Sequence, residues 1–340
     1  LESQASKRVN QADIARLAEV SVSTVSRALS GQMGMSAELR ERIRRIADNL
    51  GYAEALRSAA TEHAVVYLPM HPVNGGLHPI FQEILESARA TAEQEGLALY
   101  PKLLPEGAVD LACVERNRET HGTNAAIMFY TNPLPEVADY FQREGSLVLV
   151  NAVDMDMRFD SVIANNYAGA RLATRAMIES GHRRLLFVTG DLRHPWMERV
   201  RGFRDAVAMA GDVEGEVLEI GHDRYETALS RFAEIFGRKE RLPFTGIVCV
   251  NDLTATGVMQ AASDHGLSIP DDVSVIGFEG MAFAEMTTPR LATISVDRAA
   301  IGVEAIRLLK RRIADPRAVP QQVQHGVTFV AGGTIGSLGQ

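Results

Sequence analysis

The sequence predicts an all-α helix-turn-helix head at the N-terminus and, behind it, an α/β body of two doubly wound parallel-sheet subdomains. Three observations lead there. Two short amphipathic helical patterns sit a few residues apart near the start, apolar runs alternate with helical stretches after His63, and that alternation runs through two successive series. At 340 residues, 46% of them apolar, the chain is long enough for two or three compact units.

In the head, Ala12, Ile14, Ala15, Leu17 and Ala18 keep the spacing of a helix with one apolar face. Glu19-Val20-Ser21 interrupts the pattern with a natural N-cap in Ser21, and Val22, Val25, Ala28 and Leu29 resume it until Gly31. Two such helices with so short a joint form a helix-turn-helix. A third helix is expected after Ser36, carried by Leu39, Ile43, Ile46, Ala47 and Leu50.

The polar positions of the second helix are Ser23, Thr24, Ser26 and Arg27. Short hydroxyl side chains let a helix lie close in the major groove of DNA, and an arginine reaches a guanine bidentately. The competing reading is a solubilising face, which would normally carry more charge.

The body opens with Val65-Val66-Tyr67-Leu68 before a helix at 79–95. Ala125 to Phe129 precede a helix at 134–144, and Leu147 to Val150 come next. The second series places helices at 167–180, 197–210, 225–236 and 253–265 between apolar runs at 185–188, 217–220, 246–250 and 273–277. Strand-helix alternation of this kind builds parallel sheets covered on both faces, and ligands of such sheets bind beyond the carboxyl ends of the strands. Polar residues just past those ends are the ligand candidates: Asn151, Asn251, Asp252 and Glu279. Each is also readable as a turn or cap residue, Asp252 most of all because a helix follows it.

The formal charge of -8, taken alone, argues against a nucleic-acid partner. It is unevenly spread, however. Residues 1–61 carry nine Lys and Arg against seven Asp and Glu, leaving 26 against 36 for the rest, the pattern of a head that approaches DNA and a body that keeps off it. No long uncharged apolar run and no leader pattern occurs, so a soluble, cytoplasmic protein without a membrane partner is expected. Cys113 and Cys249 lack metal or disulfide spacing. No glycine-rich phosphate loop, metal-ligand cluster or nucleophile elbow is present, so no cofactor and no enzyme activity are expected.

Asp13 to Gly31, reading DIARLAEVSVSTVSRALSG, with a following helix that ends Leu50-Gly51-Tyr52, resembles the head of the lactose-repressor and purine-repressor family. The resemblance extends over essentially the whole chain. Its most specific body segments are Ile178 to Arg184, Val250-Asn251-Asp252 and Ile269 to Phe278. It implies a helix-turn-helix domain at 8–52, a hinge at 53–62 and an effector-binding and dimerisation domain at 63–340, similar to a periplasmic sugar-binding protein. Within that domain it implies an N-subdomain of about 63–162 and 293–322 and a C-subdomain of about 163–292 and 323–340, with a ligand cleft between them.

By the same resemblance Val22, Ser23 and Arg27 read bases, while Thr24 and Ser26 contact phosphates. Arg199 aligns with an arginine that reaches the effector, and its planar fork suits a diol or carboxylate. Phe81 matches an aromatic that flanks the ligand, its alternative being a core residue of the first body helix. Asp223 stands where an aromatic is common, and Asn151 and Glu279 where Asp is more usual. An acid at 223 and a longer acid at 279 favour a hydroxyl-rich ligand, a sugar or sugar acid.

The hinge departs from the family pattern. Glu54-Ala55 replaces Pro-Asn, and Thr61 stands where a leucine is expected to wedge into the minor groove, with Leu56 the segment's only apolar residue of wedge size. Arg57 is the phosphate-contact candidate there. Residues 331–340 carry no leucine heptad, so no coiled coil is expected in them. Together these readings imply a homodimeric repressor on double-stranded, near-palindromic operator DNA, its affinity set by a small metabolite. The alternative is a sugar-binding protein whose head no longer functions.

Overall fold

A computed structural model describes residues 11–29, 35–50, 62–70, 79–104, 109–191, 193–238 and 241–338. Three helices come first: α1 (Gln11–Ala18), α2 (Val22–Leu29) and α3 (Ala37–Asn49). Their apolar faces close on Ile14, Ala15, Ala18, Val25, Ala28, Ile43 and Ala47. Glu19 turns the chain between α1 and α2 with a left-handed φ of 55°. Ser21 then caps α2, its Oγ accepting from the Thr24 amide at 3.1 Å, and Ser36 caps α3 through the Leu39 amide at 3.2 Å.

The body runs β1 (Glu62–Pro69), α4 (Pro79–Gln94), β2 (Leu97–Leu104), α5 (Leu111–His121), β3 (Ala125–Phe129), α6 (Pro135–Glu144), β4 (Ser146–Val150) and β5 (Asp160–Ala164). A second series follows: α7 (Asn166–Glu179), β6 (Arg184–Thr189), α8 (His194–Ala210), β7 (Glu214–Glu219), α9 (Tyr225–Gly237), β8 (Gly246–Cys249), α10 (Asp252–Asp264), β9 (Ser274–Glu279) and β10 (Ala292–Val296). The described body closes with α11 (Arg298–Ala314), β11 (Gln322–His325) and β12 (Val327–Val330).

These strands form two six-stranded sheets, in the orders β11-β5-β4-β3-β1-β2 and β12-β10-β9-β8-β6-β7. The ladders from β2 to β5 and from β7 to β10 are parallel, and β12 pairs antiparallel with β10. Every residue of β3, β4 and β5 is buried, which is why β3 and β4 read as unbroken apolar runs and not as alternation. The fold class is the one the sequence predicts.

Two compact units result, Leu1–Val162 with Arg298–Gln322 and Ile163–Asp297 with Val323–Gln340. The first is built around Val65, Tyr67, Met128, Val137, Phe141 and Leu149, the second around Val188, Phe232, Ile247, Val258 and Val275. Because β10 joins the second sheet, the chain returns to the first unit at Arg298, a few residues later than position 293. Both cysteines are buried and unpaired by disulfides. Among the described residues no helix is long and apolar enough to cross a membrane.

Candidate functional site

The second helix of the head buries Val25 and Ala28 and turns the rest of its surface outward. Ser23, Ser26 and Arg27 are exposed, Thr24 is half-buried, and Val22 is an exposed aliphatic at 47%. The Ser21 hydroxyl lies 2.8 Å from both the Ser23 and the Thr24 hydroxyls, so three oxygens gather at the amino end of α2. Arg27 Nε reaches the Ser23 carbonyl at 3.4 Å, which lays its side chain back along the same face. The five residues singled out as DNA contacts therefore share one helix. Arg57, with hinge residues 53–61 and so Leu56 and Thr61, lies outside the described residues.

In the first unit, Phe81 opens α4 and is only 3% exposed, packed edge-on against Phe129 and Tyr130 with centroids 5.8 and 5.1 Å away. That is the environment of a core aromatic. Asn151 follows β4 with φ 53°, its amide donating to the Val162 carbonyl at 3.0 Å. Its side chain has no hydrogen-bond partner among the described residues. Tyr130 follows β3, also left-handed at φ 64°, and donates its amide to Val150 at 2.8 Å, so the strand register sets Tyr130 beside Asn151. Non-glycine residues held in this region cost free energy and gather at functional sites.

In the second unit, the carboxyl ends of β6, β8 and β9 carry a denser cluster. Arg199, in α8, is 4% exposed. Its Nε donates to Asn166 Oδ1 at 2.7 Å and its Nη1 to the Val250 carbonyl, with Glu279 Oε1 3.9 Å away. The guanidinium is sandwiched, 4.9 Å from the Trp196 ring centroid and 3.7 Å from that of Phe278. Glu279 ends β9 with φ 108°, a conformation rare for anything but glycine.

Asn251 does two jobs at once. Its Oδ1 caps α10 by accepting from the Thr254 amide at 2.8 Å, and its Nδ2 donates to the Asp223 carbonyl and carboxylate at 3.1 and 3.0 Å. The cap role allowed for Asp252 thus belongs to Asn251. Asp252 is fully buried, accepting from the Thr293 hydroxyl at 2.6 Å and the Met281 amide at 2.7 Å, and so ties α10 to the segments after β9. Asp223 keeps about a fifth of its side chain open, with Arg193 3.8 Å away. Gly190 admits the Asp223 backbone: a Cβ at 190 would sit 2.6 Å from the Asp223 nitrogen. The Thr189 hydroxyl, at the end of β6, is buried with no hydrogen-bond partner among the described residues.

The structure therefore brings Arg199 and Glu279 into contact, and Asp223 and Asn251 likewise. It adds Tyr130, Asn166, Trp196 and Phe278 to the list. Asn166 and Trp196 lie just before the helices expected at 167–180 and 197–210 and inside the observed ones, and nothing in periodicity marks a residue that supports an arginine.

Two family models match the chain, one described as bacterial regulatory proteins, lacI family, over residues 11–54 and one as a periplasmic binding protein-like domain over 174–335. The chain belongs to the lacI family of bacterial regulatory proteins. The ribose operon repressor of Haemophilus influenzae is 27% identical over 312 residues, covering 89% of this chain and 92% of that protein. The repressor PurR of Vibrio atlanticus is 26% identical, covering 89% and 91%. Among solved structures, a lacI-family regulator of Enterococcus faecium with bound ribose aligns with a TM-score of 0.69 at 18% identity, over 82% of this chain and 100% of that one. The lac repressor dimer bound to operator and an anti-inducer aligns with a TM-score of 0.68 at 21% identity, over 96% and 99%. At these identities the solved structures speak for the shared lacI-family fold.

Proposed function

We propose that this lacI-family protein is a transcriptional repressor that binds operator DNA as a homodimer and whose operator affinity is set by a small hydroxylated metabolite, a sugar or sugar acid. The observation that carries the DNA half is the exposed face of α2: aliphatic Val22, three hydroxyls and Arg27, with no acid among them. Such a face presents methyl, donor and acceptor groups at short reach, as base edges and phosphates require. Arg57 of the hinge is assigned a phosphate-contacting role by its charge.

The metabolite half rests on the polar groups past the carboxyl ends of the strands. Asp223, Asn251 and Glu279 offer acceptors and a donor for hydroxyls, Arg199 a planar cation held rigid by two rings, and Thr189 a buried hydroxyl that a polar ligand or water would satisfy. Asn151 supplies an amide with spare hydrogen-bonding capacity, and Phe81 supports it from the core through Tyr130. The relatives are repressors and not enzymes, and we read this chain in the same way, as a binding protein located in the cytoplasm. The expected mechanism is a difference in effector affinity between two conformations, felt at the head.

The hinge departures at Glu54, Ala55 and Thr61 favour one second reading, a sugar-binding protein with a silent head. Selection of DNA sequences from a random pool by the purified chain separates the two. Enrichment of a near-palindromic site supports the repressor, and absence of enrichment with sugar binding intact supports the alternative.

A further inference from the structure

A cavity of about 640 Å³ opens in the first unit at the amino ends of β1, β3 and β4, the opposite end of the strands from Asn151. Its size falls within the roughly 300–1,000 Å³ typical of small-molecule sites. Five full charges line it, and four are already matched by groups that do not. Glu62 binds Lys310 at 2.7 Å and Glu144 binds Arg118 at 3.3 Å. Arg158 binds Asp154 at 3.0 Å and Arg312 binds Asp160 at 2.7 Å.

The fifth is Arg143, which has no acidic partner among the described residues. The remaining balance of the cavity is therefore positive. Among its spare hydrogen-bonding groups are donors beside the second carboxylate oxygens of Glu62 and Glu144. Asn124 spends its carbonyl oxygen on the Tyr140 hydroxyl at 3.0 Å, leaving its amide hydrogens to donate. Arg158 commits Nε and Nη2 to Asp154, leaving Nη1. Ser146, only 8% exposed, lines the cavity with a hydroxyl that has no partner among the described residues. A cavity with one unmatched cation, spare donors on Asn124 and Arg158 and a buried hydroxyl suits an acceptor-rich anion.

We infer that this cavity is a second small-molecule site, separate from the proposed effector residues, and that it takes a hydroxylated anion bearing a phosphate or a carboxylate. Arg143 and Arg158 meet the charged end, while Asn124 and Ser146 meet hydroxyls. Glu62 and His63, the first described residues after the head, form part of its wall, so occupancy bears directly on the start of β1.

Calorimetric titration of the full chain with glucose 6-phosphate, gluconate, inorganic phosphate and glucose tests this, using wild type, Arg143→Ala and Asp223→Ala. At least one anion is expected to bind wild type, to bind at least tenfold more weakly to Arg143→Ala, and to bind Asp223→Ala as wild type. Glucose 6-phosphate against gluconate tells phosphate from carboxylate. Equal melting temperatures for wild type and Arg143→Ala, whose side chain is exposed, show that the fold is intact. Binding by none of the anions, or anion binding untouched by Arg143→Ala, or glucose binding that Arg143→Ala abolishes equally, overturns the proposal.

Discussion

Arg199 and Glu279 face each other at 3.9 Å with side chains only 5% and 4% exposed, one from the middle of a helix and the other from the last residue of a strand. Arg199 Nε donates to Asn166, and Nη1, the nitrogen nearest Glu279, also donates to the Val250 carbonyl. Breaking a buried pair leaves its partner uncompensated, at a cost of about 3–5 kcal/mol. Arg199→Ala is therefore expected to lower stability by that order in urea unfolding, in addition to any loss of effector binding. Arg199→Lys should recover little, because an ammonium cannot lie flat between Trp196 and Phe278. A loss below about 1 kcal/mol for Arg199→Ala would mean that the pair is not structural.

Asp223 is the better probe of the effector. Its carboxylate is partly open and its bonds come from Asn251, so Asp223→Ala should weaken sugar binding by about 1–3 kcal/mol while changing stability little. Gly190→Ala should also weaken sugar binding, indirectly and with a loss of stability, since its Cβ would push the Asp223 backbone. Calorimetry on the sugar identified by a thermal-shift screen checks both. Wild-type affinity in the two variants would place the effector elsewhere.

How much of this was legible in the sequence depends on what each residue answers to. Helices of the second series appear within a few residues of their expected bounds, because apolar periodicity reports the face against the sheet. Strand β2 went unread because Pro101 interrupts it, a residue tolerated at this sheet edge, where the strand has one neighbour only. Helix α5 went unread because LACVERNRETH buries just Cys113, Val114 and Asn117. The site showed the same division. Asn151, Asn251 and Glu279 announce themselves by following strands, whereas Asp252 looks identical in sequence and is buried in ties to Thr293 and Met281. Only tertiary contacts separate a residue that holds the site together from one that faces a ligand.

On the head, Arg27→Ala is expected to weaken operator binding by about 1–3 kcal/mol per half-site, the worth of a bidentate contact to guanine. Its side chain is exposed, so the melting temperature should not move. Loss should be greatest on the operator and least on unrelated DNA. Gel-shift titrations at one fixed salt concentration measure both, and equal weakening on both DNAs would make Arg27 a phosphate contact.

His182 gives the second unit a pH dependence. Its ring is buried, bonded to the Thr245 hydroxyl at 2.9 Å, and burial holds its pKa below the ordinary 6.5, partly opposed by the Gly336 backbone. Below about pH 6.5 the unfolded chain takes up a proton that the folded one resists, so stability falls as pH drops through that range and is unaffected above it. Urea midpoints at pH 7.5 and 5.5 should differ more for wild type than for His182→Gln. An identical difference in the two proteins would clear His182 of this role.

The central claim is that one molecule binds DNA at its head and a metabolite at its body, and that the two affinities are linked. Operator affinity, measured by fluorescence anisotropy on the selected site with and without saturating sugar, tests it most directly. A change of roughly 5- to 150-fold is expected, matched by an equal change in sugar affinity when operator is present. Operator binding that is indifferent to a sugar the protein demonstrably binds would contradict it.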